Sequence, residues 1–436
     1  MPILPNAFMA MPELGVDLTR LPGLRALRNP GVRAAALAIL AVGGSVYLAL
    51  LLLSSFSNMP DFRSIFVPES RAAWAGKAIY HAIVPAPAGR FTAGFTGAVD
   101  SPVFLLFLWP WTVMPDVVAR VSWQLVEIVS LALAVILAYR GLGSPRWEEG
   151  ILVAVLVLFF VPVRDSVQEG QLSIMLGTLV AASLLAHQRG RPVVGGLALG
   201  LAAGLKLTPF LLIPYFAYRR DFKMCFVAVS TATGLFLLTL AVGWAPLMPP
   251  FLRVMSQLSQ GTAIAQNQAV SGFVLRLLHP GLTGFPIPGL PPVTRLVIGA
   301  GQLAVLGYLV WLIRRLRLPA PEKLWTEFSI VLLLLPLVQP FAWTHHFAWA
   351  IIVIPVGVRL ALRGLLSQRR AAALVGLYVA LTVLEFPLYS AAARHPADLA
   401  HYPLAALGAA LTMYCVLLTA LVLTTPGRSA QPYPSG

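Results

Sequence analysis

Charge is what this sequence has least of. Asp, Glu, Lys and Arg make up only 11% of its 436 residues, against about a quarter of a soluble domain. Apolar residues reach 58% and mean hydropathy is +0.82. A large soluble enzyme is excluded before any motif is read. Cysteine is nearly absent, and both Cys225 and Cys415 sit inside apolar runs, so neither a disulfide framework nor a Cys-rich metal site is expected. Acidic residues number 16 against 31 basic ones. Nucleic-acid binders are basic too, but they carry their charge in patches on a polar surface. Here the basic residues fall in short clusters between apolar runs, and no nucleic-acid partner is expected. The signatures of soluble enzymes are also missing: there is no Walker loop, dinucleotide fingerprint, G-x-S-x-G or H-E-x-x-H.

What the chain does have is apolar segments on the scale of a bilayer, which needs roughly 20 helical residues per crossing. Candidate spans are 34–56, 118–139, 149–163, 170–187, 193–205, 207–218, 223–244, 292–314, 326–338, 343–362, 370–391 and 403–424. The expectation is an all-α polytopic membrane protein with about 12 transmembrane helices. They form one multispanning domain over 34–424, between a cytoplasmic N-terminal segment (1–33) and a cytoplasmic tail (425–436). No A-x-A-type cleavage site follows the first run, which reads as a retained anchor. Charge bias sets the orientation. With the N-terminus inside, 20 of the 31 Lys and Arg residues lie in cytoplasmic segments, and every short inner loop carries a basic pair or better.

Two long loops, 57–117 and 245–291, then face outward. Residues 102–114 (PVFLLFLWPWTVM) are apolar, but a full span there would invert every later loop. They read as a re-entrant or juxtamembrane piece, which is allowed where protein covers the backbone. Reading 193–205 and 207–218 as a tight hairpin puts Lys206 at the outer face.

Polar residues gather on that face. Asp61 stands at the membrane boundary, either as a solvated loop charge or as a carboxylate facing a cavity. Arg164, Asp165, Glu169 and Gln171 lie between two spans. Lys206 is flanked by apolar residues in G-L-A-A-G-L-K-L-T-P-F; such a cation either snorkels to the interface or pairs with an anion, and a lipid phosphate is the natural counter-ion. The second loop holds Q-N-Q-A-V-S-G-F-V-L-R, from Gln266 to Arg276. Amides suit sugar hydroxyls, and Arg suits phosphate. Finally P-F-A-W-T-H-H-F-A-W places His345 and His346 beside Trp343. Neighbours on a helix point about 100° apart, so the pair is a poor metal site, and one His near a phosphate or in proton transfer is the better reading. Asp61 belongs to no D-x-D, so no metal or nucleotide-sugar site is expected.

Taken in order, these motifs resemble glycosyltransferase family 87, the polyprenol-phosphate-mannose-dependent mannosyltransferases of GT-C fold. The resemblance runs through Asp61, Ala72 to Tyr80 (A-A-x-A-G-x-x-x-Y), Gly170-Gln171, Gly196 to Pro209, Asn267 to Arg276 (N-Q-x-x-x-G-x-x-x-R), and Trp343 with His345 and His346. It departs in two places: Val99-Asp100-Ser101-Pro102 stands where the family usually has Y-P-P, and Asn267-Gln268-Ala269 where it has N-Q-S. Both departures bear on donor or acceptor identity. The resemblance implies a bacterial plasma-membrane enzyme acting on the extracytoplasmic face without metal or cofactor. It would move a sugar, most simply mannose, from a polyprenyl phosphate to a hydroxyl of a lipid-linked or envelope glycan, by inverting displacement. Asp61 is then the candidate base, with His346, or next to it His345, supporting the leaving phosphate. Lys206, Arg276, Gln171, Glu169, Asn267, Gln268 and Trp343 are candidates for holding the donor. Transfer of another polyprenyl-linked sugar, such as arabinofuranose, is the rival within the family. A lipid or solute transporter is the rival outside it; transporters often show internal repeats, and none is seen here.

Overall fold

The computed structural model describes residues 29–81, 99–279, 289–394 and 409–424. Most of the expected N-terminal segment, the expected C-terminal tail, residues 403–408 of the last expected span and parts of both long loops lie outside these. Among the described residues all regular structure is helical, as the composition requires of a chain that must satisfy its backbone without water. Each expected apolar segment coincides at least in part with helix.

Among the described residues, helix length by itself supports four spans, or up to six if each of two bent pairs crosses as one, fewer than the roughly 12 expected. Proline and glycine are the reason. The long helices are α1 (Pro30–Ser57), α5 (Asp116–Leu142), α11 (Phe222–Thr239, extended by a π-helical turn) and α14 (Pro292–Arg315). Elsewhere, apart from α17 (Gln368–Arg394), the apolar runs are short or divided. Phe160-Val161-Pro162 bends α6 (Trp147–Phe159) from α7 (Val161–Glu169) by 56°, since Pro lacks the N–H that would continue the helix. Pro110 lies at the break between α3 (Pro102–Phe107) and α4 (Trp109–Val113), so 102–114 is two short helices rather than a span. A π-helical turn over Asp61–Phe66 leads into α2 (Val67–Trp74).

The centre of the molecule is α15 (Glu322–Leu334), every residue of which is buried apart from Lys323. Its C-terminal part, 330–334, is wholly apolar, and the two buried acids nearer its start, Glu322 and Glu327, are each paired with an arginine, as burial of charge requires. Helix α9 (Pro192–Leu205) lies against α11 through a row of glycines. A Cβ at Gly196 would stand 2.5 Å from Val227 Cβ, one at Gly200 2.5 Å from Ala228 O, and one at Gly204 2.8 Å from a Leu235 methyl. Small residues four apart permit this backbone approach. The partners advance together along both helices, so α9 and α11 run parallel. The segment between them, a 3₁₀ turn (Thr208–Leu212) and α10 (Ile213–Tyr218), must therefore run back. That is the hairpin read from the sequence, with Lys206 at its turn.

The two ends of the molecule differ chemically. Where the basic clusters lie, Arg359 pairs with Glu149 at 2.8 Å, Arg219 with Glu327 at 3.2 Å, His187 with Asp221 at 2.7 Å, and Arg363 with Glu322. Helices α9 and α15 start at this end and finish at the other, which carries the candidate site.

Candidate active site

The site is assembled by short elements, each fixed by a local feature of the sequence. Gly170 ends α7 with φ +73°, a left-handed conformation that favours glycine, and a Cβ there would lie 2.7 Å from Phe62 Cβ. Only glycine lets α7 meet the π-helical turn so closely. The next residue, Gln171, is buried, and its Nε2 donates to Asp61 Oδ2. The Gly-Gln pair thus turns the carboxylate of Asp61 in one direction. Its Oε1 has no hydrogen-bond partner among the described residues. Glu169 lies within electrostatic reach of Asp61 and Asp165.

Lys206 interrupts α9 with an extended backbone (φ −143°, ψ 135°). Two contacts hold this break. Ser101 Oγ donates to Gly204 O at 2.6 Å, and Thr208 Oγ1 donates to Gln339 Oε1 at 3.1 Å. The Thr of K-L-T-P therefore ties Lys206 to the segment that enters W-T-H-H. There the Lys206 ammonium Nζ lies 3.3 Å from His346 Nε2.

His345 and His346 sit on a 3₁₀ turn (Thr344–Ala350), not on a regular α-helix as expected. With three residues per turn, successive side chains point about 120° apart. Thr344 reaches Glu385 of α17 (Gln368–Arg394), His345 reaches Asp165, and His346 reaches Lys206. Asp165 Oδ2 accepts from the His345 backbone N–H at 3.0 Å and lies 3.3 Å from its Nδ1. A proton on Nδ1 leaves Nε2 as the lone-pair nitrogen, and that buried atom has no partner among the described residues. The turn is seated on α8 (Ser173–Gln188) at Gly177, where a Cβ would be 3.0 Å from the Trp349 backbone. Trp343 packs on Phe341, ring centroids 5.8 Å apart.

The N-Q-x-x-x-G-x-x-x-R motif does something else. Asn267 is fully buried; its Oδ1 accepts from the N–H groups of Ala269 (3.1 Å) and Ala342 (3.0 Å), and its Nδ2 donates to Thr262 O (2.9 Å). Gly272 of α13 (Val270–Leu278) makes room for it, and Arg276 Nη1 clamps the carbonyls of Ile264 and Asn267 at 3.0 and 2.8 Å. Gln268 N–H donates to Ala342 O at 2.8 Å. Asn267 thus knits the loop to the stretch of chain before the histidines, and Arg276 braces the loop itself, with its Nε and Nη2 left without a partner among the described residues. Among the described residues, no three His, Cys, Asp or Glu are placed to hold a metal ion.

Asp100 was missed by sequence reasoning, where it entered only as part of a departure from a motif. Its backbone carbonyl accepts from Tyr80 OH at 2.7 Å. Burial pushes its carboxyl up to about 6, Lys206 pulling it down and Asp61 pushing it further up. An acidic residue next to S-P at the head of an apolar run was the available signal.

Residues 99–340 match the sequence model of glycosyltransferase family 87. One relative, the polyprenol-phosphate-mannose-dependent alpha-(1-2)-phosphatidylinositol mannoside mannosyltransferase of Mycolicibacterium smegmatis, is 31% identical over 50% of this chain and 48% of its own length. The corresponding phosphatidylinositol pentamannoside enzyme of the same organism is 31% identical over 66% of each. The chain thus spans about half to two thirds of the curated relatives it matches. The crystal structure of ArnT from Cupriavidus metallidurans bound to undecaprenyl phosphate aligns at a TM-score of 0.39 and 16% identity, over 87% of this chain and 76% of that one. With more than half its length matched by the family's model, and the family's motifs converging on one end of the molecule, the chain belongs to glycosyltransferase family 87.

Proposed function

We propose that the protein is a membrane mannosyltransferase of GT-C type, with about 12 membrane-crossing segments, several of them short or broken. It takes mannose from a polyprenyl phosphate and passes it to a hydroxyl of a lipid-linked acceptor, of the phosphatidylinositol mannoside class named for its relatives, on the extracytoplasmic face. Asp61 takes the proton from the acceptor hydroxyl while its oxygen attacks the anomeric carbon. The bond from that carbon to phosphate oxygen breaks, and its electron pair leaves with the phosphate. Attack and departure on opposite sides invert the anomeric centre.

Each group has a role the chemistry needs. A positioned base contributes roughly 10²–10⁴-fold, and the Gln171 N–H keeps Asp61 aimed. Charge grows on the departing phosphate, and a preorganised cation stabilises it without reorganisation; Lys206, with His346 at 3.3 Å, supplies that. His345, oriented by Asp165, offers a second nitrogen. The observation that carries this reading is that a carboxylate and a cation 145 positions apart in the sequence are held at the same end by the family's own motifs. Purified protein in detergent, given radiolabelled polyprenyl phosphate sugars and envelope lipid extract, should label a lipid from the mannose donor. Label moving from another sugar, or none moving at all, would refute it.

A further inference from the structure

The side chain of Gln171 is half used. A carboxylate only accepts, so the atom that meets Asp61 Oδ2 is the amide Nε2, and this fixes which way round the amide lies. Turning it over would set Oε1 against the carboxylate. The backbone is fixed as well: Gln171 N–H donates to Ser166 O at 2.9 Å, and Gly170 before it is wedged against Phe62. Oε1 is left buried, out of reach of water and without a partner among the described residues. A buried acceptor left open is costly unless a ligand donates to it.

That ligand must come in along Asp61, which is only half-buried and is bonded to the same amide. The open atom is an acceptor, so the ligand must bring a donor. A phosphodiester brings none, whereas a sugar hydroxyl does. Sugars carry hydroxyls on adjacent carbons, and Asp61 and Gln171 set oxygens on adjoining groups, so one hydroxyl on each matches a vicinal diol. Asp61 also decides whose diol it is. In the reaction above its carboxylate takes the proton of the acceptor hydroxyl, and Oε1 belongs to the amide that holds this carboxylate. The donor is drawn instead by its phosphate to Lys206, whose Nζ meets His346.

We propose that Gln171 Oε1 receives the acceptor hydroxyl adjacent to the attacking one, so that Asp61 and Gln171 together select an acceptor sugar with a vicinal diol. The inference rests on the transferase reading above. It gives Gln171 a grip on the acceptor, where the family resemblance implied the donor.

The test uses purified full-length protein, radiolabelled polyprenyl phosphate mannose, and phosphatidylinositol mannoside with synthetic analogues that each lack one hydroxyl of its terminal mannose. For each protein the readout is the ratio of kcat/KM on the intact and the deoxy acceptor. This ratio does not depend on how much of a variant is folded. In the unaltered protein one analogue, besides the one that lacks the attacking oxygen, should react about tenfold more slowly, the loss expected of an unfilled buried acceptor. In Gln171→Ala, and in Gln171→Met with its similar volume, that difference should vanish, whereas Lys206→Ala should keep it. A residue that only aimed Asp61 would slow every acceptor alike, so an unchanged ratio in the Gln171 variants overturns the inference. Equal rates on all reactive deoxy acceptors in the unaltered protein also overturn it. So does a donor lacking one sugar hydroxyl whose penalty, rather than the acceptor's, disappears in the Gln171 variants. Unaltered protein that moves no mannose to the intact acceptor overturns the transferase reading, and this proposal with it.

Discussion

Lys206 and His346, 140 residues apart in the chain, meet with Nζ 3.3 Å from Nε2. An ammonium only donates, so Nε2 must be the acceptor of a neutral ring; the Trp343 backbone nitrogen, 3.4 Å from Nδ1, is then a close approach rather than a second hydrogen bond. The pair therefore carries one positive charge, shared across two side chains and aimed at one place.

Because they share that charge, their substitutions should not add. Lys206→Ala should raise the donor's apparent KM by about tenfold or more while leaving the acceptor's nearly unchanged, as loss of a charged hydrogen-bond donor implies. His346→Ala should act in the same direction and more weakly, and the double variant should be little worse than Lys206→Ala alone. Steady-state kinetics with each substrate varied in turn reads this. Additive losses would mean that the two residues serve different steps.

Gly170→Ala tests how the base is held. The substitution forces a Cβ into φ +73° and to within 2.7 Å of Phe62 Cβ. A non-glycine residue in that conformation costs about 1–3 kcal/mol, and the contact with the π-helical turn must open as well. The variant should unfold at lower temperature and lose activity together, since moving Phe62 moves Asp61. Full activity in a destabilised protein would separate the glycine from the site.

These examples mark what the sequence made legible. Charge scarcity and apolar runs made the helical architecture legible, and the motifs singled out Asp61, Lys206 and the histidines, which the fold brings to one end. They did not give the partners. Whether Lys206 met lipid or His346 depended on Thr208 reaching Gln339, a contact across 131 residues. The 3₁₀ turn that sends Thr344, His345 and His346 three ways is a matter of local winding, and periodicity over so few residues cannot distinguish it from an α-helix. Asn267 and Arg276 read as ligand groups because amides and guanidinium suit sugars and phosphate. Only the fold shows Asn267 turned onto backbone, and Arg276 giving Nη1 to backbone while its Nε and Nη2 have no partner among the described residues.

Asp100 gives a pH dependence. Its carboxyl is raised by burial to about 6, above the ordinary value near 3.9, so the native protein holds this proton between about pH 4 and 6 where an unfolded chain has released it. Stability from this group is therefore lost as pH rises through 6. The same ionisation places an anion within reach of Lys206, where it competes with the donor phosphate. A phosphodiester does not titrate in this range, so donor KM should rise as pH passes through about 6. Asp100→Asn should flatten that rise and lower donor KM at pH 7. A rise that persists in the variant would assign it to another group.

The base assignment gives the sharpest test. Asp61 is held by Gln171, whose Nε2 donates to its Oδ2. Asparagine keeps an oxygen able to accept that same bond and adds no bulk, so Asp61→Asn should preserve the fold and its thermal stability. Donor binding should also survive, because the phosphate is met by Lys206. What is lost is the capacity to take a proton from the acceptor hydroxyl, and turnover should fall by roughly 10²–10⁴-fold, in kcat rather than KM. Gln171→Ala should give a smaller loss, since it frees the carboxylate to rotate without neutralising it. If Asp61→Asn retains substantial kcat with its melting temperature unchanged, Asp61 is not the base. The search then moves to Asp165 and Glu169 on α7.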